Sequence, residues 1–422
     1  MDIASEVYRL KQFSATMAAS SDEVRKEALR NTEELLRERK EEIFAANKED
    51  LKAAEETELP DSIKKRLAFT EDKLKSALAG IEELIAMKDP VGKVLLHREL
   101  DTGLLLRKIT CPIGVIGVIF EARPDAMIQI ASLCLRSGNC AVLKGGKETA
   151  RTNKVLFELI KEAAERAGLS HCLLQAESHA DIDELLMLED YVDLLIPRGS
   201  NAFVRYIMEH TRIPVMGHAD GICHIYVDKD ADIEKSLPIL LDAKLQYSAA
   251  CNAVETVLLD IGLSEEARKR ILTALEDAGI AVNGPFRSAP EENTEAGLFE
   301  KEYLSNELTV GLVDGVEEAI RHINTHGSHH TDCILTENEE TAKRFTMLVD
   351  SAGVYVNCST RFADGYRYGF GAEVGISTSK LHARGPVGLE GLLTYKYILQ
   401  GSGQIVGDYV SGKKEFHFRD LQ

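Results

Sequence analysis

Between residues 113 and 356, short apolar runs of strand length alternate with helix-patterned segments, and this alternation constrains the chain more than any other feature. Runs at 113–120, 140–144, 173–174, 193–196 and 213–216 form a first series, with helices expected over 124–137 and 148–167. A second series opens near Ile222. In it 224–228, 255–259, 308–313, 332–335 and 353–356 read as strands, and 233–245 and 264–278 as helices. Such repeats close right-handed βαβ units onto a parallel sheet covered by helices. Ligands of such sheets sit at the carboxyl ends of the strands. The expected fold class is α/β: a doubly wound parallel-sheet domain followed by a second αβ domain.

The flanks differ. The first ninety residues read as helices: Ser20, Ser21 and Asp22 can cap a segment in which Val24, Ala28, Leu35, Leu36, Ile43 and Phe44 recur at helical spacing. Pro60-Asp61 and Asp89-Pro90 punctuate these helices. Over 94–110 the pattern turns to strand alternation about Asp101-Thr102-Gly103, a β-hairpin signal. Residues 357–391 read as a long loop, too rich in aromatic and apolar residues to be disordered. The tail, LLTYKYILQGSGQIVGDYV, reads as two strands around a Gly-Ser-Gly turn.

At about 150 residues per domain, 422 residues suggest two or three domains. Lys+Arg 50 against Asp+Glu 69 gives a formal charge of −19, which argues against general affinity for nucleic acid or anionic lipid. An anionic ligand must therefore meet a local basic pocket. No apolar run has the length to cross a bilayer, and the polar N-terminal stretch lacks the apolar centre of a secretory signal. Eight cysteines without a C-x-x-C pair do not form a disulfide pattern, so a reduced, cytoplasmic protein is expected.

No G-x-G-x-x-G follows a strand, and LKGGKET places Glu148 where a P-loop needs Ser or Thr. Lys144-Gly145-Gly146-Lys147 instead sets two ammonium groups beside helical N–H groups, and 196–201 makes a second strand-to-helix turn with Ser200 at the N-cap. Each alone reads as an ordinary connection with solvated charges; together they suit a dinucleotide phosphate. His322, His326, His329 and His330 lack HExxH spacing and read as a polar helix end rather than a metal site. Seven cysteines read as small buried hydrophobes. Cys251, in QYSAACNAVET beside Asn252, lies among small residues that leave space for a substrate and for N–H groups facing a reacting carbonyl. On local sequence alone, an inert cysteine is still the commoner case.

GVIGVIFEARPDAMIQIASLCLRSGNCAVLKGGKET, IPVMGHADGICHIYVD, QYSAACNAVETVLL and VNCSTRFADGYRYGFGAEVGISTSKLHARGPVGLEGL closely resemble the γ-glutamyl phosphate reductase (glutamate-5-semialdehyde dehydrogenase) family of the aldehyde dehydrogenase superfamily. The resemblance runs to about Gly407, and its last motif is absent from other aldehyde dehydrogenases. It implies an aldehyde dehydrogenase-like fold with an NADP(H)-binding domain of residues 1–93 and 112–221 and a catalytic domain of 222–392. A β-hairpin oligomerisation element of 94–111 and 393–422 would complete a homodimer or larger assembly. It also implies NADPH-dependent reduction of L-glutamyl 5-phosphate to L-glutamate 5-semialdehyde and phosphate, the second step of proline biosynthesis. Cys251 would be the nucleophile, passing through a thioester, with its own N–H and Asn252 at the oxyanion.

The resemblance further assigns Lys144 to the adenosine ribose, Lys147 to the 2′-phosphate of NADPH, Gly199 and Ser200 to the pyrophosphate turn, and Glu302 to the nicotinamide ribose. Arg123, Arg361 and Arg384 are the candidate arginines within its motifs, each either a ligand for a substrate anion or a loop clamp, and Glu373 would face the substrate ammonium. Two departures from ordinary aldehyde dehydrogenases stand out. The stretch 216–221 lacks the water-activating glutamate, and the oxyanion asparagine is missing near Ala122. The first fits a thioester resolved by hydride rather than water. The alternatives are an ordinary NAD(P)-dependent aldehyde dehydrogenase acting on a small aldehyde, which needs that glutamate, and a silent nucleotide-binding scaffold. Glutamate 5-kinase, the source of the labile acyl phosphate, is expected as a separate protein and a possible partner.

Overall fold

Residues buried on both faces of their strands dictate two all-parallel sheets, one in each of the two units into which the chain divides. The computed structural model describes residues 2–57, 59, 64, 66–121, 123–218, 220–287, 296–370 and 372–421. The first unit comprises Met1–Met216, Phe370–Gly375 and Val387–Gln422, and the second Gly217–Gly369 and Ile376–Pro386. Pro60-Asp61 lies outside the described residues.

The first unit opens with helices α1 (Ile3–Ala18), α2 (Asp22–Glu38), α3 (Lys40–Glu56) and α4 (Glu71–Ala86). The Ser21 hydroxyl caps α2 by accepting from the Val24 N–H, and Ala28, Leu29, Leu35 and Leu36 form its buried face. Strands β1 (Val94–Asp101) and β2 (Leu104–Pro112) make the hairpin, with Gly103 at φ +72° supplying the left-handed turn residue. On its other edge β2 pairs antiparallel with the strand Leu393–Gln400, which exposes Tyr395, Tyr397 and Leu399.

The tail departs from the two strands expected. The Gln404 amide folds back, accepting from the Ser402 N–H at 2.7 Å and donating to the Thr102 carbonyl at 3.0 Å. This turns the chain across the hairpin tip, where Val406–Val410 forms a short helix held by Tyr409 on Asp101.

β3 (Val115–Phe120), α5 (Pro124–Ser137), β4 (Cys140–Lys144), α6 (Ala150–Arg166), β5 (Leu173–Gln175), α7 (His179–Leu185), β6 (Leu194–Arg198) and α8 (Asn201–Glu209) follow in βαβ order. The sheet runs β5-β4-β3-β6, so the winding reverses at β3. The turns after β3, β4 and β6 thus gather at the switch point where such sheets bind ligands. The apolar run at 213–216 forms no strand, only a single bridge from Val215 to Leu195.

The second unit contains β7 (Cys223–Val227), α9 (Ile233–Leu245), β8 (Val254–Asp260), α10 (Glu265–Asp277), β9 (Ala281–Arg287), β10 (Glu307–Val313), α11 (Gly315–His326), β11 (Thr331–Leu335), α12 (Glu339–Leu348) and β12 (Gly353–Val356). All neighbours in the order β12-β11-β7-β8-β10-β9 are parallel. Alternate residues face opposite layers. Ile225, Val227, Val257 and Leu259 pack with α9 and α10 residues, while Tyr226, Leu258 and Ile334 pack with α11 and α12 residues. β9 has no strand signal in the sequence because Gly284-Pro285 interrupts it; the edge of the sheet accommodates the proline and a register shift opposite Thr309–Gly311.

Candidate active site

β11, β7 and β8 are adjacent in the second sheet, so the three loops that precede them meet at its amino ends. Cys251 lies in the loop before β8, His218 in the segment before β7, and His330 directly before β11. This corrects the expectation that chemistry in such a sheet collects at carboxyl ends; here it gathers where strands begin.

The Cys251 backbone is fixed from several sides. Its carbonyl accepts from the Cys223 thiol at 3.3 Å. Gly221 presses against it so closely that an added Cβ would lie 2.1 Å from the Cys251 carbonyl oxygen. The segment bearing Gly221 is itself pinned: the Gly221 N–H donates to Glu302 Oε1 at 3.0 Å and the Ile222 N–H to Ser328 Oγ at 2.8 Å. Asn252 is buried, and its Nδ2 donates to the Ala363 carbonyl at 2.7 Å.

The Cys251 sulfur and one ring nitrogen from each of His218 and His330 all lie within 4.8 Å of one another. The two rings meet edge-on, with centroids 4.8 Å apart. His218 Nδ1 sits 2.8 Å from the Ile376 carbonyl. A carbonyl can only accept, so Nδ1 carries a proton and Nε2 serves the sulfur. His330 Nδ1 contacts Thr331 Oγ1 at 2.9 Å, and its buried Nε2 has no hydrogen-bond partner among the described residues.

These neighbours set the charge state. Burial alone would raise the Cys251 thiol, but the imidazoles of His218 and His330 outweigh it and hold the thiol well below the usual cysteine range. Burial would likewise lower His218, but the facing Cys251 thiolate, the Ile376 carbonyl and Glu302 hold it up at about 9. The resting pair is therefore thiolate and imidazolium. By contrast, burial pushes Cys134 and Cys172 up to about 12. Arg361 is buried, with Nε 2.9 Å from Gln246 Oε1. Burial and Arg367 lower its guanidinium below the ordinary value, and the Cys251 sulfur pulls the other way, which places Arg361 within electrostatic reach of the thiolate.

Glu302, Asn252 and Arg361 thus join Cys251, but not all in the expected parts. The Asn252 amide nitrogen, expected at the oxyanion, is engaged with Ala363 and fixes the loop instead. Arg384 clamps Asp350, with NH1 3.1 Å from Oδ1 and NH2 3.1 Å from the carbonyl. Arg123 pairs with Asp125 at 3.0 Å and, like Glu373, belongs to the first unit. Lys144 is buried with Nζ on the Gly145 carbonyl at 2.7 Å, and Lys147 is exposed at the start of a 3-10 turn. Ser200 occupies the N-cap position of α8 without a side-chain cap bond, contrary to expectation. Its N–H donates to Glu121 Oε2 at 3.0 Å, so a carboxylate takes the anion seat of that turn. Ala122 and Ala219 lie outside the described residues.

His218 and His330 are the residues that sequence reasoning missed. His218 lies within the stretch read only for its missing glutamate. His330 was grouped with three histidines as a polar helix end, yet it and His322 are buried. Two cysteines also depart from the buried-hydrophobe reading: Cys111 and Cys358 are only partly buried.

A thiolate at the head of a parallel sheet, with a second parallel sheet in the other unit, defines a class. Residues 2–297 match the aldehyde dehydrogenase family, whose members use a nicotinamide cofactor. The acetylating aldehyde dehydrogenase of Geobacillus thermoglucosidasius has the same fold at 17% identity, with a TM-score of 0.68 over 96% of this chain and 97% of that one. Closer relatives narrow the assignment. The γ-glutamyl phosphate reductase of Acetivibrio thermocellus is 51% identical over 99% of this chain and 97% of its own length. The crystal structure of γ-glutamyl phosphate reductase from Thermotoga maritima has a TM-score of 0.91 at 33% identity, covering 96% of this chain and 100% of that one. The chain belongs to the γ-glutamyl phosphate reductase family.

Proposed function

We propose that this protein reduces L-glutamyl 5-phosphate to L-glutamate 5-semialdehyde, releasing phosphate, with NADPH as reductant, as the second step of proline biosynthesis. The observation that carries the reading is the Cys251 sulfur held as a thiolate between His218 and His330. The thiolate attacks the acyl carbon. The negative charge that develops on the acyl oxygen is met by the Cys251 backbone N–H, since the Asn252 amide nitrogen is engaged elsewhere. The carbon–oxygen bond to phosphate then breaks, leaving a thioester on Cys251. When bound, the cofactor would supply the hydride that turns this thioester into the anion of a hemithioacetal. Collapse releases the aldehyde and returns the sulfur as a thiolate beside the His218 imidazolium, whose Nδ1–H stays on Ile376. The missing glutamate of 216–221 favours this course over hydrolysis, and so over the ordinary aldehyde dehydrogenase.

The residues present fit a dinucleotide. An added Cβ on Gly145 would lie 2.1 Å from Asn153 Nδ2, and one on Gly199 would lie 2.6 Å from Glu121 Oε2, so each turn requires glycine because one of the protein's own side chains packs on it. Lys144 would hold the adenosine ribose and exposed Lys147 the 2′-phosphate that distinguishes NADPH, and the pyrophosphate would take the Gly199-Ser200 turn by displacing the Glu121 carboxylate from the Ser200 N–H. Glu302, fixed by Gly221, would take the nicotinamide ribose. Of the three arginines, Arg361 is the one assigned to a substrate anion, because Arg384 and Arg123 already hold carboxylates. The exposed strand Leu393–Gln400 and the hairpin are assigned to a homo-oligomer contact, and glutamate 5-kinase is the protein partner this reading proposes. Among the described residues no helix is long and apolar enough to cross a membrane.

The test is the reverse reaction. With glutamate semialdehyde, phosphate and NADP, the protein should form NADPH only when phosphate is present, and Cys251→Ser should be nearly inactive. Phosphate-independent oxidation, or full activity in Cys251→Ser, overturns the proposal.

A further inference from the structure

We propose that His218, Cys251 and His330 also form a binding site for a soft divalent cation, Zn²⁺, and that its occupation reversibly silences the thiolate. The donors are one sulfur and two imidazole nitrogens, within 4.8 Å of one another. Zinc takes sulfur at about 2.3 Å and imidazole nitrogen at about 2.0–2.1 Å. Tetrahedral ligands then stand roughly 3.5 Å apart, so side-chain rotations of about 1 Å close the set.

Two further observations point to a cation. The first is orientation. His218 Nδ1 is held by the Ile376 carbonyl and His330 Nδ1 by Thr331 Oγ1, the outer partners that fix a metal-binding imidazole and direct Nε2 inward. The second is the His330 Nε2 itself, a buried nitrogen with no hydrogen-bond partner among the described residues. A sulfur and two imidazoles favour zinc over the oxygen-seeking magnesium and calcium ions. Three protein ligands leave a fourth position for water. The metal replaces the proton shared by Cys251 and His218, which is released to solvent. The four-histidine cluster of the sequence is therefore not the metal set; one member, His330, joins residues from two other loops.

The probe is Co²⁺, added to the full-length, metal-free protein without substrate and followed by optical absorption. One equivalent should produce thiolate-to-cobalt charge transfer and the strong visible bands of tetrahedral cobalt, both discharged by Zn²⁺. Cys251→Ala should abolish the charge-transfer band. His330→Ala should weaken binding by roughly tenfold or more, and His326→Ala should leave it unchanged. Melting curves confirm that each variant is folded. Absence of the band in the wild type, its survival in Cys251→Ala, or unaltered affinity in His330→Ala overturns the site. Because the readout needs neither substrate nor turnover, it fails or succeeds independently of the reductase reading.

Discussion

His218 Nδ1 lies 2.8 Å from the Ile376 carbonyl oxygen, and this contact decides which ring nitrogen faces Cys251. The thiol is held well below the usual cysteine range and His218 stands at about 9. Alkylation of Cys251 by iodoacetamide should therefore run at a nearly constant rate from mildly acidic to neutral pH. Above about 9 the imidazolium loses its proton and the ion pair is lost. In His218→Phe the thiol should move back toward the ordinary value of about 8.5, so neutral-pH alkylation slows. Turnover should fall by about 100-fold or more. Rate profiles against pH for both proteins check this; identical profiles would remove His218 from the mechanism.

Lys244 and Glu255 form a fully buried ion pair, 2.6 Å from nitrogen to oxygen, between α9 and β8, the elements that flank the Cys251 loop. The other Glu255 oxygen accepts from the Leu304 N–H at 3.4 Å, two residues from Glu302. Lys244→Met leaves a buried carboxylate unpaired and should cost about 3–5 kcal/mol. The double variant Lys244→Met/Glu255→Gln should recover most of that loss. Denaturant midpoints of the single and double variants measure it, and equal destabilisation in both would contradict the pairing argument.

Gly221→Ala tests the backbone contact behind Cys251, the proposed nucleophile. The new Cβ would fall 2.1 Å from the Cys251 carbonyl oxygen, so one of the two segments must move. A displacement near 1 Å at a reacting group costs on the order of 100-fold in rate. The variant should fold yet lose about that much activity, read as kcat on purified protein with an unchanged far-UV spectrum.

Much of this arrangement was legible in the residues. Both parallel sheets follow from strands such as 115–120 and 254–260, whose every side chain is buried. Cys251 is marked by its small neighbours, which let Gly221 and Cys223 approach its backbone. β9 was not legible, because Gly284-Pro285 breaks a pattern that only an edge position tolerates. Nor were the histidines. His218 and His330 meet at Cys251 only because the sheet order sets β11 and β8 on either side of β7, and no local spacing announces a strand order. Arg384, which the sequence leaves as either an anion ligand or a loop clamp, has its charge answered by Asp350, a partner that only the fold brings to it.

Lys147 is the residue proposed to set the cofactor preference. It is exposed at the turn after β4, on the sheet whose winding reverses at β3, and its ammonium is the group assigned to the 2′-phosphate. A charge-assisted hydrogen bond contributes about 1.5–3 kcal/mol, which corresponds to roughly 10- to 150-fold in affinity. Lys147→Glu removes that bond and adds a repelling charge, so KM for NADPH should rise by at least about tenfold. KM for NADH, which has no phosphate there, should stay within about twofold, because the adenosine ribose is assigned to Lys144. The substitution does not touch Cys251 chemistry, so kcat at saturating cofactor should hold. If both cofactors weaken equally, Lys147 supports the turn rather than reading a phosphate, and the proposed NADPH preference loses its residue.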